Sequence, residues 1–376
     1  MKKILFIALV LMVSLFACQS KSPKIEVAED ESIVYFCKDI TPENILKLYE
    51  ALDVDFEGKT AIKLHFGEEG NQNFLNPELL TKLVEKTKGT FVETNVLYVS
   101  KRRFTDSHIA LAKEHGFDFA PIDILDAEGE MELPAEGLKH YDKVKTGNHL
   151  MNYDNYIVYS HFKGHGASGF GGAIKNVSMG MASPGGKMAM HASAVPATYH
   201  VEKCFQCNRC VEQCPGDAIT ITSEGPIIDP EKCLGCAKCI AECPQRIFSP
   251  SRTEVNDTVF MERLVEYAAV ISAQRPMVYI NVMDNISTLC DCNSKAPEPF
   301  VGAVGAVASK DMIAIDKACN DLVSMKHGSA DAFAQVNNVS GIPQIDYGQQ
   351  LGLGNKKYVL VDVATGERIS LEEAIK

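Results

Sequence analysis

The sequence has no tryptophan, a shortage of positive charge and a single long apolar run. The missing tryptophan excludes nothing by itself. The 37 Lys and Arg against 49 Asp and Glu leave a formal net charge of −12. That balance argues against non-specific binding to nucleic acid or to anionic lipid headgroups. The apolar run lies at the N-terminus, so the residues beyond it are expected to be soluble. Acidic residues are missing altogether from 155–201. What remains is ordinary for a globular chain: 376 residues, 46% of them hydrophobic, suffice for a sizeable core and two or three domains.

Met1-Lys2-Lys3 is a short basic segment, and Ile4 through Phe16 is apolar apart from Ser14. The run is too short for a comfortable membrane span and has the length of a signal-peptide core. It ends Leu15-Phe16-Ala17-Cys18, which resembles the lipobox of bacterial lipoproteins. In such proteins the signal is cut before the Cys and the thiol is lipidated. Residues 1–18 are therefore expected to be a lipoprotein-type signal peptide, and 19–31 a polar tether. The membrane would be touched only through a lipid anchor at Cys18, and the protein would sit in the cell envelope.

Thirteen cysteines are the most informative content. Eight form two copies of one pattern, Cys204-x2-Cys207-x2-Cys210-x3-Cys214-Pro215 and Cys233-x2-Cys236-x2-Cys239-x3-Cys243-Pro244, offset by 29 residues. This is the run that binds cubane iron–sulfur clusters. Three Cys two residues apart wrap one face of a cluster, and the fourth leads away to ligate the other. The spacing thus predicts two [4Fe–4S] clusters. Cys204, Cys207, Cys210 and Cys243 would hold one, and Cys233, Cys236, Cys239 and Cys214 the second. Zinc sites favour paired C-x2-C knuckles across a longer loop, and disulfides close poorly over such short steps. Of the other cysteines, Cys290-Asp291-Cys292 places two thiols on one side if extended, as a half-site for a metal or as a redox pair. The alternative is a pair of strand-end thiols with no role. Cys37 and Cys319 sit in apolar contexts and are expected to pack as small hydrophobes.

Around this module strand-like and helix-like segments alternate. Strands are expected at 32–36, 60–66, 91–99, 121–124, 155–160, 277–283 and 358–363. Helices are expected from Pro42 to about Leu52, from Asn76-Pro77 to Gly89, at 105–115, at 255–273 and at 311–325. The fold class expected is an α/β domain, a mixed or parallel sheet with flanking helices, interrupted by a small α+β ferredoxin-like two-cluster module. The division predicted is 32–198 for the first part of the α/β domain, 199–250 for the module and 251–376 for the second part.

The acid-free stretch 155–201 carries eight Gly together with Lys163, Lys175, Lys187, His161, His165, His191 and His200. In an extended chain 161, 163 and 165 project to one side. Gly166, Gly169, Gly171 and Gly172 would let backbone N–H groups approach a ligand, so a site for a small anion, carboxylate or phosphate, is expected here. The alternative is a glycine-rich surface loop with solvated Lys and His. Gly164-x-Gly166-x-x-Gly169 matches the dinucleotide fingerprint literally but lacks its acidic residue about 20 positions on. Lys63 and His65 share a face of the second strand, and Arg102, Arg103 and Asp106 form a charged cluster that reads as surface solvation or helix capping. Asp106 and Asp291 are carried as further candidates.

Several stretches resemble domain-of-unknown-function family 362. They are His161-Phe-Lys-Gly-His-Gly with Gly-Phe-Gly-Gly-Ala-Ile-Lys175-Asn176, Ser183-Pro-Gly-Gly-Lys187 to His191, the two Cys runs, Cys290-Asp-Cys292, and Val307-Ala-Ser-Lys-Asp311-Met-Ile-Ala-Ile-Asp316. The likeness covers roughly 32–365. It implies a ferredoxin-type insertion and iron–sulfur binding, without a substrate. The function expected is electron transfer through two [4Fe–4S] clusters, as an oxidoreductase or reductase component feeding a site in the α/β domain. There His161, Lys163, His165, Lys175, Lys187 and His191 would bind and protonate an anionic substrate. The redox donor and acceptor stay open. The alternative is a non-catalytic iron–sulfur protein with a structural, assembly or sensor role. One conflict bears on location: folded iron–sulfur proteins leave the cytoplasm by the twin-Arg route, whereas this leader carries Lys2-Lys3. An unused signal would leave the chain cytoplasmic.

Overall fold

The computed structural model describes residues 27–191, 195–250 and 255–376. The expected signal peptide with Cys18, and most of the tether, lie outside them. Eight short runs, most of them rich in β-branched and aromatic residues, build one sheet. In chain order they are Ser32–Cys37 (β1), Thr60–Lys63 (β2), Thr90–Glu93 (β3), Ile122–Ile124 (β4), Asn155–His161 (β5), Met277–Met283 (β6), Gly305–Ser309 (β7) and Tyr358–Asp362 (β8). In space the order is β8-β1-β7-β6-β5-β2-β3-β4. Only β7 runs antiparallel to its neighbours β1 and β6; the other five pairings are parallel. The protein is thus a mixed α/β structure with a mostly parallel sheet. β5 is buried at all seven positions, as a central strand covered on both faces must be.

The helices are Pro42–Ala51 (α1), Thr81–Thr87 (α2), Thr105–Glu114 (α3), Ala173–Met181 (α4), Pro184–His191 (α5), Arg209–Glu212 (α6), Lys238–Glu242 (α7), Asp257–Ser272 (α8) and Met312–His327 (α9), with three shorter ones after it. The start of α1 follows from its sequence: Thr41 accepts from the Asn44 N–H and Pro42 takes the first helical position. Each face of the sheet has its own core. Ile45, Leu48, Leu83 and Ala112 from α1, α2 and α3 pack on Ile62, Ile157 and Ile280. Val177, Leu264 and Leu322 from α4, α8 and α9 pack on Val158 and Val307. Neighbours Ile157 and Val158 enter opposite cores, the two-residue period of a strand.

Several boundaries differ from expectation. β2 and β3 stop at Lys63 and Glu93, not at 66 and 99. After Glu93 the backbone leaves the ladder, because the Asn95 N–H binds the Asp126 carboxylate. The helix expected from Pro77 starts as a tight turn over Pro77–Leu80 before α2, and Lys88, one residue ahead of Gly89, takes the left-handed stop. The glycine-rich stretch is not one extended loop: it contains a hairpin, Lys163–His165 with Gly169–Gly171, and then α4 and α5. The literal dinucleotide match therefore falls on a hairpin, not on a strand-to-helix turn.

Residues 197–249 leave the sheet between α5 and α8. Ala197–Thr198 and Phe248–Ser249 pair at the base of the segment, and Ile219–Thr222 pairs with Gly225–Ile228 as a hairpin between α6 and α7. The segment has a core of its own, with Ile219, Ile240, Ile247 and Phe248 packed around Cys210, Cys239 and Cys243. The 29-residue repeat extends to the backbone. Left-handed residues recur in register as Gln206 and Gly235, Asn208 and Ala237, and Asp217 and Arg246.

Candidate functional site

A cleft of about 870 Å³ opens where parallel strands β2, β3 and β5 end, at Lys63, Glu93 and His161. Ligands of open α/β sheets bind outside the carboxyl ends of their strands. His161, Lys163, His165, Lys175, Lys187 and His191 all line this cleft. So do Cys290 and Cys292, and from the Cys-rich segment Ile240, Arg246 and Phe248. Asp106 is not among them: it lies exposed on the first turn of α3.

Asp291 organises one wall. Its Oδ2 lies 2.9 Å from His161 Nδ1 and 2.8 Å from Lys163 Nζ, and the residue is 1% exposed. Burial would raise its pKa, but the His161 and Lys163 charges outweigh that and hold the carboxyl well below its ordinary range. His161 Nε2 is 2.6 Å from the Asp284 carbonyl, so both ring nitrogens face acceptors. Next to Asp291, Lys175 Nζ is 3.3 Å from Cys290 Sγ. The two thiols do not share a side of an extended strand. Residues 291–292 form a turn, and the Cys292 N–H points at Cys290 Sγ over 3.4 Å. Cys290 is held well below the ordinary thiol range by the hydrogen bond from Cys292 and then by Lys175.

Two other lysines are buried against neutral oxygens. Lys63 Nζ donates to the Leu64 carbonyl and to Asn176 Oδ1, each at 2.8 Å. Lys187 Nζ donates to Thr94 Oγ1 and to the Ala182 carbonyl. Desolvation drops Lys63 to about 7 and Lys187 to about 8, and each feels the repulsion of Lys175. The remaining candidates, His165 and His191, both stack on Phe260, with centroids 5.8 Å and 4.9 Å away.

The reading of Arg102 as surface charge is corrected: it is 2% exposed. Its guanidinium pairs with Glu93, which also lies 3.1 Å from His108 Nε2. Sequence reasoning missed this network because Glu93 ends a strand and no local pattern couples it to Ser100-Lys-Arg-Arg. Gly164 and Gly172 also do something different from exposing N–H groups. A Cβ on Gly164 would stand 2.3 Å from the Thr288 carbonyl oxygen, and one on Gly172 would stand 2.3 Å from Asp316 Oδ1. They permit close packing. Asp316 in turn accepts the Ala173 and Ile174 N–H groups at the start of α4 (2.7 and 3.0 Å) and so aims Lys175.

The eight thiols of the repeated runs stand around two smaller cavities. One is lined by Cys204, Cys207, Cys210 and Cys243, the other by Cys214, Cys233, Cys236 and Cys239. Measured as the cleft is, each encloses about 20 Å³. Burial and then the neighbouring thiols, Cys236 and Cys233 first, push Cys239 up to about 12. Among the described residues no three His, Cys, Asp or Glu side chains converge closely enough to hold a single metal ion. Phe248 lines both the first thiol cavity and the cleft. Cys37 and Cys319 are buried, in keeping with a packing role.

A mostly parallel α/β sheet with a cleft lined by charged side chains at its strand ends defines the class. The chain belongs to the family described as Domain of unknown function (DUF362), which matches residues 60–321. Among solved structures it is similar to a Thermotoga maritima protein, at 13% identity and a TM-score of 0.38, covering 76% of this chain and 58% of that one. It is also similar to the lactate racemase apoprotein from Thermoanaerobacterium thermosaccharolyticum, at 12% identity and 0.30, covering 69% and 53%. The chain thus spans little more than half the length of each. No curated protein matches it.

Proposed function

We propose that the protein is an iron–sulfur oxidoreductase in which residues 199–250 form a ferredoxin-like module inserted into an α/β domain made of 32–198 and 251–376. Cys204, Cys207, Cys210 and Cys243 would hold one [4Fe–4S] cluster, and Cys233, Cys236, Cys239 and Cys214 the other. The donor set fits: four thiols around each cavity, three from one run and one from the other, suit a cubane. When bound, such clusters supply single electrons at potentials the surrounding protein sets.

The observation that carries the reading is the double position of Phe248, on the wall of the first thiol cavity and on the rim of the cleft. An electron-transfer module placed there stands beside a site built for an anion. In the cleft Lys63 and Lys187 would bind a carboxylate or phosphate, because their present partners are neutral oxygens. His161, fixed by Asp291, and Lys163 would orient the ligand, and a buried lysine of lowered pKa would deliver a proton. His165 and His191, stacked on Phe260, would close the far wall.

The deciding experiment is anaerobic purification with iron and sulfide analysis, followed by voltammetry. The expected result is a brown protein with about eight irons per chain and reversible one-electron waves. Colourless protein loaded with zinc would sink the cluster reading. Redox-silent clusters would favour the structural or sensor role. We also propose attachment to the cell envelope through Cys18. No helix among the described residues is long and apolar enough to cross a membrane.

A further inference from the structure

We propose that Cys290 and Cys292 form a redox-active thiol pair on the cleft wall, in which Cys290 attacks a low-molecular-weight disulfide, Lys175 steadies its thiolate and Cys292 resolves the product. Neither thiol belongs to the repeated runs, so the inference stands whatever those runs bind.

Three features converge on it. Lys175 places its ammonium 3.3 Å from Cys290 Sγ, and all three side chains line the open cleft. A free thiol becomes a nucleophile when a neighbouring cation favours the thiolate. The turn then brings the second residue back to the first, through the 3.4 Å contact from the Cys292 N–H to Cys290 Sγ, and both side chains line the same cleft. Asp291 between them is clamped by His161 and Lys163, which fixes the turn. The charges facing the pair are Lys175, Lys163 and Arg102, against Asp291. Cys37 shows the contrast. Buried in a core with Lys47 only a minor influence, it is pushed up to about 12, as a packing thiol is.

The chemistry balances within the pair and its substrate. The Cys290 thiolate attacks one sulfur of RS–SR, forming a Cys290–SR mixed disulfide and releasing RS⁻. Cys292 loses its proton to the released thiolate and attacks the Cys290 sulfur. That expels the second RS⁻ and closes the Cys290–Cys292 disulfide. One external disulfide is reduced to two thiols, and the two cysteines are oxidised by two electrons.

The test uses the full-length protein, equilibrated without oxygen in mixtures of reduced and oxidised glutathione, quenched in acid and alkylated. The peptide bearing both residues is then weighed. It is expected to pass from the doubly alkylated form to an internal disulfide as the oxidised share rises. Cys292→Ser should stall as a glutathione mixed disulfide on Cys290. Lys175→Met should slow alkylation of Cys290 at neutral pH by about tenfold. If that variant fails to fold, the wild-type titration and Cys292→Ser still decide. Double alkylation at every ratio would overturn the proposal. So would protection of both thiols that is lifted by a chelator, which would make the pair half of a metal site.

Discussion

Taking a lysine ammonium out of water with only neutral oxygens as hydrogen-bond partners is unfavourable, and the cleft does so at Lys63 and Lys187, where Glu93 and Asp126 offset only part of the cost. The sign of the consequence follows from their lowered pKa values of about 7 and about 8. An anion binds the protonated form, so its affinity should fall as pH rises through that range. Calorimetric titration with inorganic phosphate should give binding at least about tenfold weaker at pH 9 than at pH 6.5. Lys63→Met should weaken the tighter binding and flatten the profile, and a profile that rises with pH would refute the anion site. The same depression means that the unfolded chain binds more protons than the folded one above pH 7. These two lysines therefore contribute a stability that increases from there towards pH 10. At Glu93 a different loss is expected. Glu93→Gln would leave the buried Arg102 guanidinium with Glu68, 3.6 Å away, as its remaining carboxylate and cost about 3 kcal/mol in urea unfolding.

Among the elements, the ones that announce themselves are those with a local cause. Thr41-Pro42 starts α1, and the apolar run Met277–Met283 is a strand from end to end. α4 and α5 did not, because their segment carries glycines that sequence alone reads as loop. The structure gives Gly172 a different reason, the approach of Asp316 from α9 some 140 residues on, and a partner that distant leaves no local trace. The site divides the same way. Clustered Lys and His between glycines marked the cleft, whereas the burial of Arg102 needed Glu93 at the end of β3 and the Cys290–Cys292 contact needed a turn. A prediction belongs at this scale. Asp316→Ala removes the acceptor for two N–H groups at the start of α4 and should lower stability by about 1–3 kcal/mol in urea titration. Because α4 carries Lys175, the same variant should also slow Cys290 alkylation.

For the whole molecule the question is how residues 197–249 are held against the sheet. Two cationic side chains reach across: Arg103 Nη2 donates to the Ile240 carbonyl at 3.0 Å and Lys145 Nζ to the Leu234 carbonyl at 2.9 Å. Leu97 and Met188 add an apolar contact with Ile240 and its neighbours. Replacing Arg103 and Lys145 by Ala should speed amide hydrogen exchange within 200–249 and leave the central strands protected. Unchanged protection there would mean that the apolar contact suffices.

The strand order has one more consequence, for the newborn chain. β1 leaves the ribosome first, yet its hydrogen-bonding neighbours are β7 and β8, from residues 305–309 and 358–362. Its place is therefore filled only once residues 358–362 have emerged. The cysteine-bearing segment emerges while that edge of the sheet still waits for its last strands.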